Sequence, residues 1–147
     1  MSQIRNNDLL ENKEVNVKIK LALLWVALMF FYIYNDILSL YQPGHVADLA
    51  KGHLEGLEFT QPILFAGAVL MAIPSFMIIL CITLKAKPNR IINITVGLFQ
   101  ILVLISTQFM GGDASWLYWR LYEFLEALLL LLVIWTAWKW PIDKRPE

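Results

Sequence analysis

Four long apolar runs dominate this sequence of 147 residues and leave few ways in which it can fold. They extend over about residues 21–41, 62–84, 91–110 and 116–138, and each is near the ~20 residues that a helix needs to cross a bilayer. Hydrophobic residues make up 59% of the chain, more than a small water-soluble domain can cover with polar surface. We therefore predict an all-α fold, an integral membrane four-helix bundle in a single domain.

The other predicted segments lie between and around these spans. They are an N-terminal arm at 1–20, an outer connection at 42–61, an inner connection at 85–90, a second outer connection at 111–115 and a tail at 139–147. The first run is predicted to be an uncleaved span rather than a secretory signal. A polar arm of about 20 residues precedes it, and no small-x-small cleavage site follows it.

Basic residues predict the orientation of the spans. Ten of the twelve lie in the arm, the inner connection and the tail, and the other two are Lys51 and Arg120. The positive-inside rule then predicts a multi-pass protein with both termini in the cytoplasm. Trp25 is expected at the inner interface, where amphipathic rings are favoured. Membrane lipids are the expected partners. The sequence lacks the pattern of basic and aromatic residues that is typical of nucleic-acid binding, so no nucleic acid is expected as a partner.

Polar residues interrupt the first span close to its outer end. Tyr32, Asn35 and Asp36 share one face of a helix with Ser39, because their spacing is i, i+3, i+4 and i+7. A charge that faces lipid costs at least ~2.5 kcal/mol on insertion scales. We therefore expect this face to point into the bundle.

A second polar face begins the fourth span, which enters from the same side. Arg120 and Glu123 follow Trp116 at helical spacing, and Glu126 lies beside them, roughly 15 Å in from Trp116. Asp36 is predicted to pair with Arg120 across the helix interface. Gln61, at the start of the second span, is a further candidate for this cluster.

The candidate ligand-binding cluster therefore comprises Tyr32, Asn35, Asp36, Gln61, Arg120, Glu123 and Glu126. Three of its carboxyl groups share one guanidinium group, so a carboxyl must stay protonated, a cation must bind, or water must reach the site. Glu126, the deepest, is the best candidate to stay protonated. The alternative is structural, with Arg120 joining two carboxylates and thereby two helices.

Other polar and small residues give weaker indications. His45 and His53 lie in the outer connection, but their spacing matches no metal-binding motif, so no metal site is predicted. A short amphipathic helix is expected there, including Leu54 and Leu57. Gly67 is expected to let another helix approach the second span, and Gln100 to hydrogen-bond to a neighbouring helix. No cofactor motif is present, and homo-oligomer formation is a possibility that the sequence leaves open.

Four stretches of this sequence, "YIYNDILSLYQPG", "LEFTQPILFAGAVLMAIP", "NRIINITVG" and "YEFLEALLLLLVIWTAWKW", resemble domain-of-unknown-function family 6326. This is a family of small bacterial four-span membrane proteins, and the resemblance covers roughly residues 20–140. The family's pattern maps onto Tyr34, Asp36, Pro43, Gly44, Thr60, Gln61, Asn89, Arg90 and Glu123 or Glu126. One departure is Ala72, where the family pattern has a Glu. The resemblance implies a bacterial inner-membrane protein and no particular activity.

Three classes of function remain open on the sequence. The first is binding or sensing of a small ligand, lipid or quinone at the polar cluster in the outer half of the bundle. The second is a small proton- or ion-coupled permease, which with four spans requires an oligomer. The third is an intramembrane enzyme that uses the carboxyl groups as acid and base, although no catalytic motif is present. The first is preferred because it requires least of the sequence.

Overall fold

The structure is a computed structural model that describes residues 13–54, 57–107, 109 and 116–141. Its elements, in chain order, are α1 (Val17–Ser39), α2 (His45–Ala50), β1 (His53–Leu54), β2 (Leu57–Glu58), α3 (Gln61–Thr83), α4 (Ala86–Thr107) and α5 (Leu117–Trp138). Within the described residues, α1, α3, α4 and α5 are long and apolar enough to cross a membrane. The predicted all-α bundle of four long helices is therefore confirmed. Most of the arm at 1–20, the connection at 111–115 and most of the tail at 139–147 lie outside the described residues.

Polar residues at the helix starts extend two of these helices beyond the apolar runs. The side chain of Asn16 accepts a hydrogen bond from the backbone nitrogen of Lys18 at 2.9 Å and so caps α1, which begins four residues before the predicted span. α4 begins at Ala86, so the predicted connection at 85–90 is wrong for all but its first residue. Pro88 fits there because the first turn of a helix has no partner for its N–H groups.

The four long helices alternate in direction. α1 packs between α3 and α5, α4 packs along α5, and α3 meets α4 through far fewer residues. The Lys18 ammonium, at the start of α1, donates to the carbonyl of Ile82, at the end of α3, at 3.2 Å. At the opposite end, the Gln42 amide donates to the Tyr118 hydroxyl at 2.7 Å. We call the end of the bundle that holds the start of α1 and the end of α5 the tail end, and the opposite end the far end.

A glycine allows α4 to approach α5 closely. A Cβ atom at Gly97 of α4 would lie 2.8 Å from Cγ1 of Ile134 on α5. Gly67 of α3 is exposed, and a Cβ atom there would meet nothing within 4 Å. The expectation that Gly67 brings another helix close to α3 is therefore wrong, and Gly97 has that role instead.

Buried side chains occupy only the half of the bundle nearest the tail end. In the long helices they are Leu21, Ala22, Trp25 and Leu28 of α1, Pro74, Met77 and Cys81 of α3, Asn89, Asn93, Gly97 and Gln100 of α4, and Glu126, Leu130, Val133 and Ala137 of α5. Residues 61–73 of α3, all of which the structure describes, include no buried side chain. The bundle is thus packed at the tail end and open at the far end, chiefly between α3 and α4.

The outer connection folds into a short helix and a small hairpin. Gly44 has a φ of +86°, which a glycine adopts without strain, and it turns the chain into α2. β1 pairs with β2 in antiparallel register, with His53 opposite Glu58. The predicted amphipathic helix therefore exists, but its expected extension through Leu54 and Leu57 is wrong because these residues form the strands.

Candidate functional site

The polar residues of α1 and α5 lie where the packed half of the bundle meets the open half. Tyr32 and Asn35 of α1 are half-buried and Asp36 is exposed, whereas Glu126 of α5 is only 4% exposed. The helices pack against each other at this level, because the ring centroid of Phe31 lies 5.7 Å from that of Tyr122, in an edge-to-face arrangement. The predicted cluster thus spans a real helix interface.

Glu126 is the buried acid of this cluster. Its Oε1 atom is one of three buried side-chain atoms without a hydrogen-bond partner in the part of the chain that the structure describes. Glu123 and Asp36 lie close enough for their charges to repel a charge on Glu126, and Glu126 also interacts electrostatically with Tyr32. A buried carboxyl group without a partner is costly, so this position requires a proton or a ligand.

The predicted ion pair between Asp36 and Arg120 is wrong. Arg120 instead pairs along its own helix, with Nη1 3.1 Å from Oε2 of Glu123, and no ion pair joins Arg120 to Asp36 among the described residues. The i, i+3 spacing keeps Glu123 within reach, whereas a pair across the interface would require the long Arg120 side chain to turn inward. Because the Arg120 side chain is 55% exposed, its charge contributes little to the buried region.

Two amide side chains complete the polar lining. Oδ1 of Asn35 and Nε2 of Gln100 are the other buried atoms without a partner in the described residues, so the expected hydrogen bond of Gln100 to a neighbouring helix is wrong. Gly97 faces Val133 and Ile134, so Gln100 lies about level with Leu130, one helical turn from Glu126. We call the group formed by Tyr32, Asn35, Asp36, Gln100, Glu123 and Glu126 the acidic cup.

Gln61 does not contribute to this arrangement. It is the exposed first residue of α3, and it makes no side-chain hydrogen bond within the described residues. Because the first half of α3 stands apart from the packed helices, a residue at its start is not held against the polar faces of α1 and α5. The prediction that Gln61 lies at the start of the second span is confirmed, but the sequence contains no information on how far α3 separates from its neighbours.

A second polar group, which the sequence analysis missed, lies in the packed half. Oδ1 of Asn93 accepts from Nε1 of Trp25 at 2.7 Å and from Sγ of Cys81 at 3.3 Å. Nδ2 of Asn93 donates to Oδ1 of Asn89 at 2.7 Å, and Nδ2 of Asn89 donates to the carbonyl of Cys81 at 2.5 Å. This asparagine network joins α1, α3 and α4, and Trp25 is fully buried within it, whereas the depth of Trp25 in the membrane stays a prediction.

One feature of the sequence does relate to this network. Asn89 and Asn93 are four residues apart, and this spacing predicts that they share one face of a helix. Polar side chains near a span's end are tolerated, which is why their burial could not be inferred. The network lies in the packed half beside the apolar core, and the three buried unpartnered atoms of the described residues all belong to the acidic cup.

Metal-binding side chains are not brought together in the outer connection. His45 is buried, and its Nε2 atom lies 3.3 Å from the Ser39 hydroxyl, whereas His53 lies in β1. Asp48 pairs with Lys51 at 3.0 Å, and this hydrogen bond holds the pKa of Asp48 below its ordinary value. No group of three His, Cys, Asp or Glu side chains placed to hold a metal ion occurs within residues 13–54, 57–107, 109 and 116–141.

An apolar groove of about 530 Å³ lies on the exposed face of α5. It is lined by Leu128, Leu131, Leu132, Ile134, Trp135 and Trp138. At its tail end, the Lys139 ammonium lies 4.2 Å from the centroid of the Trp135 ring, and the Arg90 guanidinium lies 5.7 Å from that of Trp138. The groove offers contact area to lipid chains but no polar group for recognition or chemistry.

The comparisons with known proteins identify a family and no activity. The family model described as "Family of unknown function (DUF6326)" matches residues 9–145, nearly the whole chain. No curated protein and no solved structure matches the chain. The geometry of the acidic cup is therefore the basis for any statement about function.

Proposed function

The chain belongs to the DUF6326 family, a family of unknown function, and we propose that it binds or senses a small ligand, lipid or quinone in the acidic cup. The ligand occupies the space between the open helices at the far end and contacts Glu126. The basic segments at the tail end support a cytoplasmic location for both termini in a bacterial inner membrane. The acidic cup then lies in the outer half of the bilayer.

The observation that carries this proposal is the unpartnered carboxyl group of Glu126. Its side chain is 4% exposed, yet Oε1 has no hydrogen-bond partner among the described residues. Burial of a polar group without a hydrogen-bond partner costs roughly 1–3 kcal/mol by mutational data. A bound molecule that donates a hydrogen bond to Oε1 offsets this penalty.

The open half of the bundle supports a route for the ligand. α3 and α4 touch through few residues, and residues 61–73 of α3 include no buried side chain. An amphipathic molecule can therefore enter sideways from the bilayer, with its apolar part in contact with lipid and its polar part at the acidic cup. Membrane sites of this kind place ionisable residues toward the interior of the bundle.

Native mass spectrometry of the protein, purified in a mild detergent, tests the proposal. We expect a bound molecule of defined mass on the wild-type protein and its loss from Glu126→Gln, which keeps the side-chain volume but removes the ionisable group and replaces one acceptor oxygen with a donor NH2 group. Glu58→Gln is the matched control, because it makes the same change at an exposed strand position.

The outcomes of this experiment are distinct. A ligand that is present on the wild type and on Glu58→Gln but absent from a folded Glu126→Gln supports the proposal. A wild-type protein with no bound molecule after extraction into lipid nanodiscs contradicts it. Retention of the same molecule by Glu126→Gln contradicts it as well.

A permease is the second candidate, and one observation favours it. The bundle is open at the far end and closed by the asparagine network at the tail end, as expected of one state in an alternating-access cycle. Four spans are few for a pathway, so this function requires a homo-oligomer. Uptake of the ligand into proteoliposomes under a pH gradient, lost in Glu126→Gln, distinguishes transport from binding alone.

A further inference from the structure

We propose that the ligand of the acidic cup is a hydrophobic organic cation, an amine or quaternary ammonium group attached to an apolar body. This inference rests on the proposed function and specifies the chemical class of the ligand. Three independent features of the structure support it: the balance of charge at the far end, the hydrogen-bonding character of the unpartnered atoms, and the aromatic side chains around the cup.

The far end is strongly acidic. Among the described residues, the outer connection and the outer parts of the spans contain five acidic residues, namely Asp36, Asp48, Glu58, Glu123 and Glu126, but only two basic residues, Lys51 and Arg120. Lys51 pairs with Asp48 and Arg120 with Glu123, so both cations already have an acidic partner. The remaining negative charge attracts cations and repels anions.

The unpartnered buried atoms favour a ligand that donates hydrogen bonds or carries positive charge. Oε1 of Glu126 and Oδ1 of Asn35 are both acceptors, and they come from the two helices that pack at this level. The third unpartnered atom is Nε2 of Gln100, on a side chain that is only 1% exposed. This atom is a donor, so it can donate a hydrogen bond to a hydroxyl or carbonyl oxygen elsewhere on the ligand. A carboxylate or phosphate ligand would meet Glu126 and Asp36 as like charges.

Aromatic side chains lie on the same two helices as the acids. Tyr32 interacts electrostatically with Glu126, and Phe31 and Tyr122 meet edge to face at 5.7 Å across the helix interface. Tyr118 and Trp119 lie nearer the far end, with ring centroids 6.0 Å apart. Ring faces attract organic cations and tolerate an apolar body, which a small hydrated metal ion does not offer.

The side chains of the acidic cup suit an organic cation better than a metal ion. The described residues contain no group of three His, Cys, Asp or Glu side chains that could hold a metal ion. A metal ion requires several oxygen or nitrogen ligands at short distance. An ammonium group requires fewer direct ligands, because one carboxylate and neighbouring ring faces satisfy it.

The test compares a cation with a neutral molecule of similar shape. Tetraphenylphosphonium and triphenylphosphine oxide are titrated against the detergent-solubilised full chain, with binding followed by equilibrium dialysis. We expect saturable binding of the cation and weaker binding by about tenfold or more in Glu126→Gln. Glu126→Asp is expected to retain part of the affinity, and Glu58→Gln to match the wild type.

Addition of phosphatidylethanolamine distinguishes two sources of the cation. If this lipid competes with tetraphenylphosphonium, the site binds an amine headgroup. If the affinity for tetraphenylphosphonium is unchanged by the lipid, the site binds a free organic cation. Both results support the proposal. Equal affinity for the two probes, or no saturable binding of the cation to the wild type, overturns it. The co-purification experiment does not depend on charge, so a neutral ligand found there preserves the proposed function while this inference fails.

Discussion

At the scale of single residues, the carboxyl groups of this chain differ by their partners rather than by their type. Glu123 has Arg120 within 3.1 Å, Asp48 has Lys51 within 3.0 Å, and Glu126 has no partner for Oε1 among the described residues. The sequence predicted that Glu123 and Glu126 lie close together on one helix. It did not indicate which acid obtains the guanidinium group, because that depends on the side-chain conformation of Arg120.

A double-mutant cycle on Asp36 and Arg120 measures the consequence. Because no ion pair joins them in the described part of the chain, we expect the effects of Asp36→Ala and Arg120→Leu on the free energy of unfolding to add, with a coupling below ~0.5 kcal/mol. The matched cycle on Arg120 and Glu123 is expected to give ~0.3–0.5 kcal/mol, as for other exposed helix pairs. A coupling of ~2 kcal/mol or more between Asp36 and Arg120 would show that the two residues form an ion pair and would contradict the structure.

Asn93 is the residue on which the packed half depends most. Asn93→Leu removes the partner of Trp25 and Cys81 and one partner of Asn89. Hydrogen bonds in membrane proteins average ~0.6 kcal/mol, but stranded buried groups cost more, so we expect a loss of about 1–3 kcal/mol in unfolding free energy. Thr95→Val, an exposed polar-to-apolar change two residues away, is the control and should have little effect. Equal stability of the two variants would show that the network is not structural.

At the scale of the elements, the apolar runs predicted the helices well and their contacts less well. Length and hydropathy determine a span because unpaired backbone groups are costly in lipid. The same rule gives no information on which helices touch, since every face of a span is apolar. This explains why the sequence identified the second and third spans but did not indicate that α3 and α4 separate at the far end.

Gly97 provides a test of helix packing. In Gly97→Ala the new methyl group would lie 2.8 Å from Cγ1 of Ile134, so we expect a loss of about 1–3 kcal/mol in unfolding free energy. Ile134→Ala should recover part of this loss when the two are combined. Gly67→Ala, where a Cβ atom meets nothing within 4 Å, is the matched control and should be neutral or slightly stabilising. A similar loss in both glycine variants would contradict the packing described.

At the scale of the whole molecule, the distribution of charge predicts the orientation. Reporter fusions after residue 147 and within 85–90 are expected to report a cytoplasmic location, and fusions near Gly52 and Gly112 an outer one. The single basic residue near Gly52 is Lys51, so Lys51→Ala should leave the orientation unchanged. An outer location for the fusion at residue 147 would contradict the four-span arrangement.

The apolar runs predicted a bundle of four long helices, whereas the site and the orientation stay predictions. Six of the seven predicted cluster residues lie on α1 and α5, but Arg120 is exposed and outside the acidic cup, and Gln61 stands apart on α3. Gln100 was noticed but assigned the wrong role, because its lack of a partner depends on packing that no single sequence reveals. The opening between the helices could not be predicted for the same reason.

The central claim is that Glu126 is a buried acid that can be reached from the bilayer and is covered by a ligand. Dicyclohexylcarbodiimide, an apolar reagent that modifies protonated carboxyl groups within membranes, tests it directly when followed by peptide mass spectrometry. The account predicts modification of Glu126 in the ligand-free protein and protection of Glu126 after tetraphenylphosphonium or the co-purified ligand is added. An unmodified Glu126 in the ligand-free protein, or modification that no ligand reduces, would contradict it.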